Sequence, residues 1–273
     1  MKKRIISALA ALFLMASPLP MRSNAASAPK VYINGQRVGG DMPTEIVGGT
    51  SYVALRGAGD LMGAEVSWDK ASRTAAMKTK GLKLTAGEGN IHIEANERAL
   101  YAPSGVFIRE GRLMVPCRLL ARALGGAAQW EASSRSVYIT TGSPIAHGDS
   151  VYREDELMWL SRIISAESRG EPMAGQAAVG GVVLNRVGSD DFPGTIYGVI
   201  FDRHNGVQFE PVLNGTVWDE PTEDAVAAAK LCLEGVDLSR GAMFFYNPAL
   251  AQNSWIGRSR PYIMTIGKHR FHG

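Results

Sequence analysis

Glu167 has the residue type and the position needed to hold a proton and deliver it to a substrate. The preceding segment, 155–165, carries Leu157, Leu160 and Ile164 at helical spacing, and Glu167 falls next in that series. The pattern predicts a helix that carries Glu167 toward the core side of a cleft. Burial against aliphatic neighbours disfavours a charged carboxylate and raises its pKa, which allows a glutamic acid to act as a general acid near neutral pH.

A structural role for Glu167 fits the same spacing. A glutamate at the end of a helix can form an ion pair with a nearby arginine, and Arg169 and Arg186 are the candidates. The spacing alone leaves both interpretations open.

Seven blocks of sequence, in order from about Leu157 to the C-terminus, resemble the catalytic domain of the spore-cortex-lytic SleB family of bacterial cell-wall hydrolases. The blocks are SAESRGEP (165–172), GQAAVG (175–180), VLNRV (183–187), FPGTI (192–196), QF (208–209), FYNP (245–248) and TIGKH (265–269). In that family the first glutamate of the motif is the catalytic acid, and it matches Glu167. The resemblance also implies a fold similar to that of lysozyme-like lytic transglycosylases.

The chemistry implied is cleavage of the β-1,4 bond between N-acetylmuramic acid and N-acetylglucosamine. Such cleavage needs an acid for the leaving oxygen and a way to handle the oxocarbenium-like centre. A two-carboxylate mechanism would need a partner for Glu167, and the candidates are Glu171, Asp190, Asp191, Glu210 and Asp219. Lytic transglycosylases need none, because the same glutamate then takes a proton from the muramic acid 6-hydroxyl, which attacks C1 and forms a 1,6-anhydro product.

Further residues are assigned to substrate binding by a looser resemblance to segments of lytic transglycosylases. It implies that Gln208 and Asn247 hydrogen-bond N-acetyl or hydroxyl groups and that Tyr246 orients the sugar. For Phe209, core packing competes with sugar stacking. The predicted substrate-binding residues are Ser168, Gln208, Phe209, Tyr246 and Asn247. Trp218 and Trp255 offer stacking surfaces as an alternative to core packing.

A signal peptide is predicted over residues 1–26. Basic residues precede an apolar run at 5–16, and small residues at 23–25 or 26–28 suit cleavage. The run is shorter than the roughly 20 residues of a membrane span, so export to the cell wall or spore cortex is expected, with no stable membrane span afterwards. Removing four basic residues with the signal lowers the net charge from +3 to about −1, which argues against nucleic-acid binding.

The first half contains an internal repeat at a constant offset of 62 residues. Segment 53–77 aligns without a gap with 115–139, so that Trp68 matches Trp130. Each copy predicts a strand, a short helix, a strand carrying the tryptophan, a turn and another strand. One copy is too small to bury its apolar face, so the two are expected to share a core anchored by the tryptophans.

The repeat region, 30–142, resembles the module at the N-terminus of copper amine oxidases. A copper site is not expected, because His92 is the only histidine in the region. The module is interpreted as a binding or spacer unit, with a purely structural role as the alternative.

The composition turns to Gly, Ser, Pro and His at 143–152, which predicts a linker before a catalytic domain at 153–273. Within that domain, helices are predicted at 174–187 and 221–233, with a small strand element from the apolar runs. The fold class is therefore α+β with two domains. Cys117 and Cys232 fall in different domains and are interpreted as buried free thiols.

Two other functions remain open. A zinc amidase would need a ligand cluster, and the catalytic half offers only His204, His269 and His272. His269 and His272 could share one face of a helix, but a solvated tail is the preferred interpretation for them. The second alternative is a non-catalytic cell-wall-binding protein. No metal or cofactor is predicted, and the substrate is expected to be peptidoglycan strands.

The resemblance leaves the type of peptidoglycan open. The N-terminal half does not look like the peptidoglycan-binding domain usual in the SleB family, so specificity for spore cortex and action on the vegetative wall are both retained. Any regulatory protein partner is not identified by the sequence.

Overall fold

The computed structural model describes residues 28–204, 206–251 and 255–273. The predicted signal peptide lies outside the described residues. The N-terminal half is built mainly of strands and the C-terminal half mainly of helices, as the α+β prediction requires. Across the described residues, no helix combines the length and the apolar character needed to cross a bilayer.

The N-terminal half contains thirteen strands and two short helices. They are β1 (Lys30–Ile33), β2 (Gln36–Arg37), β3 (Thr44–Val47), β4 (Thr50–Ala54), α1 (Leu55–Leu61), β5 (Glu65–Asp69), β6 (Thr74–Thr79), β7 (Leu82–Gly87), β8 (His92–Ala95), β9 (Arg98–Tyr101), β10 (Phe107–Arg109), β11 (Arg112–Pro116), α2 (Cys117–Ala123), β12 (Ala128–Glu131) and β13 (Ser136–Ile139). The strands form three sheets, in the orders β12-β13-β1-β2, β10-β11-β4-β3 and β5-β6-β7-β8-β9.

The predicted repeat is confirmed as two β-α-β-β units, β4-α1-β5-β6 and β11-α2-β12-β13. The first strands of the two units pair antiparallel, and Val53 lies opposite Val115. These two valines are equivalent at the 62-residue offset, so a local two-fold axis relates the repeats. Both valines are fully buried in a core that the two units share.

The prediction that the tryptophans anchor this core is wrong. Trp68 is 39% exposed and Trp130 is 46% exposed. Each lies on an edge strand, β5 or β12, whose outward positions face solvent. Aliphatic side chains such as Leu55 and Leu120 fill the core instead.

The C-terminal half begins with long helices and ends with a small sheet. Its elements are α3 (Glu154–Ser168), α4 (Met173–Val187), α5 (Ile196–Phe201), α6 (Pro211–Asn214), α7 (Glu223–Leu233), β14 (Phe244–Tyr246), α8 (Trp255–Ser259), β15 (Tyr262–Ile266) and β16 (His269–His272). The sheet order is β14-β16-β15. Helix α7 starts later than predicted, because the Thr222 hydroxyl caps it by accepting from the Ala225 N–H, which leaves Pro221 outside the helix.

Small residues bring α3, α4 and α7 close together. A Cβ atom on Gly180 of α4 would lie 2.6 Å from Ile164 Cδ1 of α3 and 2.8 Å from Cys232 Sγ of α7. Only a glycine fits there without a shift of both neighbours. This close approach fixes α3, the helix that carries Glu167, against the rest of the domain.

Both cysteines are free and buried, as predicted. Burial raises the pKa of the Cys117 and Cys232 thiols to about 12. Neither thiol is therefore a nucleophile at neutral pH.

The predicted linker packs against both halves. Gly125 approaches the carbonyl oxygen of Ser143 so closely that a Cβ atom would lie 1.6 Å from it, and Ile145 packs on the N-terminal core. At its end, the Tyr152 hydroxyl donates a hydrogen bond to Glu234, at 2.9 Å. The segment therefore connects the halves as a packed element.

Glu234, at the C-terminal end of α7, joins the two halves. The Arg98 guanidinium of β9 donates two hydrogen bonds to its carboxylate, at 2.6 and 2.8 Å, and Arg122 of α2 donates a third at 2.7 Å. The Glu234 side chain is 3% exposed. A second ion pair, Lys230 to Glu94 at 2.7 Å, lies in the same interface.

Candidate active site

Glu167 lies in the last turn of α3, facing a cleft of about 370 Å³. Leu160 and Ile164, on the same stripe of the helix, are fully buried. The Glu167 carboxyl group therefore lies on the core side of a cleft, as predicted. The cleft is lined by Glu167, Arg186, Val207, Gln208, Phe209, Glu210, Phe244, Phe245, Tyr246, Asn247, Leu250, Ala251, Trp255, Ile256 and His269.

The environment of Glu167 favours the protonated acid. Burial is the main cause, the negative charge of Glu210 adds to it, and the positive charge of Arg186 opposes it; the pKa of Glu167 rises to about 7. No hydrogen bond or ion pair joins its carboxyl to another described side chain, so the alternative of a salt bridge with Arg169 or Arg186 is not observed. A carboxyl of this kind is a proton donor near neutral pH.

Arg186 is the charged residue behind the cleft, and it is 5% exposed. Its Nε donates to the Met243 carbonyl at 2.8 Å, and its Nη1 donates to Gln208 Oε1 at 3.4 Å. Burial lowers the pKa of Arg186 to about 10, although Asp202 and Glu167 act in the opposite direction. The arginine is still charged at neutral pH, so it stabilises the carboxylate that Glu167 becomes after losing its proton.

Of the five carboxylates considered as a partner for Glu167, Glu210 is the one that lines the cleft. Asp190, Asp191 and Asp219 are exposed and lie outside its lining. The charge of Glu210 reaches Glu167, since it raises the pKa of that residue.

The Glu210→Gln variant should shift the alkaline limb of the activity profile to lower pH. Removing the negative charge removes one cause of the raised Glu167 pKa, so the acid loses its proton earlier as pH rises. Activity against peptidoglycan, measured from pH 5 to pH 9, would show this. Asp191→Asn is the matched control because it neutralises a carboxylate outside the cleft. An unchanged limb in Glu210→Gln would show that the two charges do not interact.

The structure brings Gln208, Tyr246 and Asn247 to the cleft with Glu167. The Gln208 amide is partly engaged, since its Nε2 donates to the Gly206 carbonyl at 3.2 Å. Asn247 Oδ1 accepts from the Ala249 N–H at 3.0 Å, which leaves its Nδ2 free of described partners. Each amide can therefore offer a donor to a sugar oxygen after a small adjustment.

The position of Tyr246 and Asn247 depends on α4. Asn185 Nδ2 donates to Ser239 Oγ at 2.8 Å and to the Ala242 carbonyl at 3.0 Å. Together with the bond from Arg186 to Met243, these contacts hold the chain that leads into β14. Asn185 and Arg186 of α4 thus hold the segment that leads to Tyr246 and Asn247 in the cleft.

Ser168 and Phe209 differ from the predicted substrate contacts. Ser168 is 1% exposed, its hydroxyl donates to the Ile164 carbonyl at 2.6 Å, and it does not line the cleft. Phe209 is 2% exposed and lies under the Arg186 guanidinium, with Cζ 5.2 Å from the ring centroid. Core packing is therefore the role that the structure favours for Phe209.

The interpretation of His269 and His272 as a solvated tail is wrong. Both belong to β16 and are 7% and 3% exposed, because the C-terminal strand is the central strand of its sheet. His269 lines the cleft, and its buried Nδ1 has no partner among the described residues. Trp255, 53% exposed, also lines the cleft, so core packing does not describe it.

Glu171 has a structural role beside the site. Its Oε2 accepts a hydrogen bond from the Lys268 N–H at 2.8 Å and so clamps the turn between β15 and β16. Gly267 in that turn has a φ of +55°, and a Cβ atom there would lie 2.0 Å from Glu171 Oε2. The motif glutamate after Glu167 thus fixes the hairpin that places His269 at the cleft.

The Gly267→Ala variant should be destabilised by about 2 kcal/mol, because the new methyl group adds a clash with Glu171 to the cost of a positive φ. Gly241→Ala is the matched control, since its φ is +77° but no atom lies within 4 Å of the added Cβ. Urea unfolding of both variants separates the two costs. Equal losses would show that the contact with Glu171 is unimportant.

Comparison with known proteins places similarity in the C-terminal half of the chain. The family model described as Cell Wall Hydrolase matches residues 170–272, beginning just after Glu167. The spore cortex-lytic enzyme of Oceanobacillus iheyensis is 38% identical over 132 residues, which cover 48% of this chain and 46% of the relative. The catalytic domain of the germination-specific lytic transglycosylase SleB from Bacillus anthracis is 36% identical; the match covers 47% of this chain and 100% of that domain, with a TM-score of 0.41.

Residues 170–272 match this family model, and we call the C-terminal half that contains them the cell wall hydrolase domain. A second family model, described as Copper amine oxidase N-terminal domain, matches residues 32–139. The spore cortex-lytic enzyme of Bacillus subtilis is 37% identical over 120 residues, 44% of this chain and 38% of the relative. The chain spans about half the length, or less, of these curated relatives.

Metal ligation is not supported in the described part of the chain. Residues 28–204, 206–251 and 255–273 contain no group of three or more His, Cys, Asp or Glu side chains that could hold a metal ion. In the cell wall hydrolase domain, His204 is exposed while His269 and His272 lie in β16, so the three histidines do not converge.

Proposed function

We propose that this protein is an enzyme that cleaves the glycan strand of peptidoglycan, with Glu167 as the general acid. The observation that carries the proposal is a carboxyl group with a pKa of about 7 that faces a cleft of aromatic and amide side chains. The bond is the β-1,4 linkage from N-acetylmuramic acid to N-acetylglucosamine, as the relatives named spore cortex-lytic enzymes and the lytic transglycosylase support.

In the first step, Glu167 protonates the glycosidic oxygen as the bond to C1 breaks. Positive charge then develops at C1 and the ring oxygen, while Glu167 becomes a carboxylate. That carboxylate lies beside the sugar and stabilises the charge. Arg186 lowers the pKa of Glu167, so the carboxylate formed in this step persists long enough to act as a base.

In the second step, the carboxylate accepts the proton of the muramic acid 6-hydroxyl, whose oxygen attacks C1. The product is a 1,6-anhydro sugar, and Glu167 returns to its protonated form. The nucleophile belongs to the substrate, so no positioned water is required. The lytic transglycosylase course is favoured because, among the described residues, the one other carboxylate that lines the cleft is Glu210, an exposed residue at the start of α6.

Gln208 and Asn247 are proposed to hydrogen-bond N-acetyl and hydroxyl groups, and Tyr246 to orient the sugar at the cleavage site. Trp255 joins them as an exposed ring on the cleft wall. Ser168 lies behind the cleft, while Phe209 lines it as a buried ring packed against Arg186. We further propose that the chain acts outside the cytoplasm after loss of residues 1–26. Residues 30–142 are proposed to act as a spacer module for the catalytic domain.

Mass spectrometry of the fragments released from purified peptidoglycan tests this proposal. Anhydro-muramic ends are expected. Reducing ends would instead assign a water nucleophile and make Glu210 the base to test, while freed stem peptides would replace the proposal with the amidase. Peptidoglycan with and without muramic lactam, compared in one assay, decides between cortex and vegetative wall.

Addition of EDTA should leave the rate of fragment release unchanged, because the residues assigned to catalysis use no metal. Release of reducing groups, followed before and after chelation, provides the measurement. A rate that falls with EDTA and returns with Zn²⁺ would revive the amidase alternative.

A further inference from the structure

A group of aromatic side chains lies on the surface of the cell wall hydrolase domain, outside the lining of the cleft. Trp159, Tyr197, Phe201 and Trp218, which we call the aromatic cluster, have neighbouring ring centroids 4.5 to 5.8 Å apart. They come from α3, α5 and the turn at 216–218. Tyr197 is 51% exposed and Trp218 is 56% exposed, so large ring surfaces face solvent.

Packing alone does not account for this exposure. Val217, next to Trp218, is fully buried and already anchors the turn in the core. Because Val217 points into the core, the next residue, Trp218, points outward, and its ring covers Trp159 only in part. Contiguous exposed apolar surface on a soluble domain commonly marks a site of interaction.

Arg162 adds an unused positive charge to the aromatic cluster. Its guanidinium carbon lies 5.4 Å from the centroid of the Trp159 ring. The Arg162 Nε is buried without a hydrogen-bond partner, and no ion pair forms between Arg162 and any residue that the structure describes. A guanidinium held on an aromatic face with free donors is suited to a carboxylate ligand.

The aromatic cluster lies along α3, the helix that ends beside Glu167. Trp159 precedes Glu167 by eight residues, which corresponds to a rise of about 12 Å and a rotation of about 80° around the helix axis. On the other wall, Glu210 lines the cleft and α6 leads from it to the turn that carries Trp218. A glycan strand seated at Glu167 would reach the exposed rings by following α3 toward its start, because α3 packs against α5 and the turn at 216–218.

We propose that the aromatic cluster is a distal subsite for the glycan strand of peptidoglycan, which deepens the proposed function and rests on it. The pyranose rings present apolar C–H faces that pack on the Tyr197 and Trp218 rings, while their hydroxyl edges stay in water. Arg162 binds a carboxylate of the lactyl group or stem peptide of a muramic acid. Both halves of the repeating disaccharide thus find a matching surface.

Binding measured on uncleaved substrate tests the subsite. In full-length protein carrying Glu167→Gln, Trp218→Ala and Tyr197→Ala should each weaken affinity for insoluble peptidoglycan by about tenfold, the effect expected for loss of one stacked ring. Leu213→Ala is the matched control, because Leu213 is an apolar residue, 68% exposed, that lies nearby in α6. Co-sedimentation gives the affinity, and thermal unfolding shows whether each variant is folded.

Two more variants separate stacking from charge. Trp218→Phe keeps a ring and should restore most of the affinity lost in Trp218→Ala. Arg162→Gln should weaken binding to peptidoglycan but leave binding to uncharged chitin oligosaccharides intact, whereas the ring variants weaken both. Wild-type affinity of the folded ring variants would overturn the subsite and leave the aromatic cluster as packing or as a surface for another protein.

The failure of the subsite is distinguishable from failure of the proposed function. Full cleavage activity in Glu167→Gln alone would contradict the function, whatever the rings do. Loss of cleavage in Glu167→Gln, combined with affinity that is indifferent to Tyr197 and Trp218, would contradict only the subsite.

Discussion

The Glu167→Gln variant is expected to lose cleavage of peptidoglycan by a factor of about 10³, because general acid catalysis by a positioned side chain contributes about 10² to 10⁴. Glutamine keeps the size and the hydrogen-bonding capacity of the protonated acid but has no proton to donate. The rate of fragment release from purified peptidoglycan is the measurement. Glu154→Gln, an exposed residue in the first turn of the same helix, is the control and should keep full activity.

The Glu167→Gln variant is expected to lose activity but to be more stable than the wild type above neutral pH. The folded-state pKa of Glu167, about 7, lies above the ordinary value of 4.5 for a glutamic acid, so its contribution to stability is complete below pH 4.5 and is lost as pH rises through 7. Glu167→Gln carries no such loss. Its unfolding midpoint should match that of the wild type at pH 4.5 and exceed it at pH 8. Full activity, or a midpoint below wild type at pH 8, would contradict the assignment of Glu167 as a buried proton donor.

The Glu234→Gln variant is expected to weaken docking of the two halves by about 3 kcal/mol. Removing one partner of a buried ion pair leaves the other charge uncompensated, here chiefly Arg98, whose side chain is 16% exposed. Thermal unfolding and limited proteolysis across 143–152 are the measurements, and the segment should become cleavable. Glu94→Ala removes the more exposed pair of the same interface, with a carboxylate side chain that is 40% exposed, and should cost less than about 1 kcal/mol.

Docking should also weaken in acid. Burial acts to raise the pKa of Glu234, but hydrogen bonds from Arg98 and Tyr152 outweigh it and hold the pKa below its usual range. The stability from this group is therefore present above the unfolded-state pKa and is lost as pH falls through the folded-state pKa. In small-angle scattering at decreasing pH, the wild type should lose its difference from Glu234→Gln as Glu234 is protonated, because the variant lacks this contribution at every pH. Identical curves would show that Glu234 does not hold the interface.

Local patterns predicted the parts of the molecule that depend on neighbours in sequence. The helical stripe of Leu160, Ile164 and Glu167 is set by a period of 3.6 residues, and the repeat fixed the order of strands and helices in the first half. Resemblance to a known family then named the cleft residues of 206–209 and 245–248. None of this needed knowledge of how distant segments meet.

The remaining features depend on tertiary contacts that no local pattern encodes. Arg186 lowers the pKa of Glu167 because α4 packs beside α3. Glu210 raises that pKa because the chain before α6 returns to the cleft. His269 is buried because the last strand pairs on both sides. The exposure of Trp68 likewise follows from its place on an edge strand, and a buried hydroxyl at Ser168 replaces the expected ligand contact.

The two-fold contact between β4 and β11 joins two repeats of one chain, so its formation should not depend on protein concentration. A single repeat would expose the edge of β4, and the isologous pairing around Val53 is the contact by which two separate copies would cover it. Self-association of that kind fails when the protein is scarce. Tying both copies into one chain makes the contact intramolecular, so its formation no longer depends on concentration.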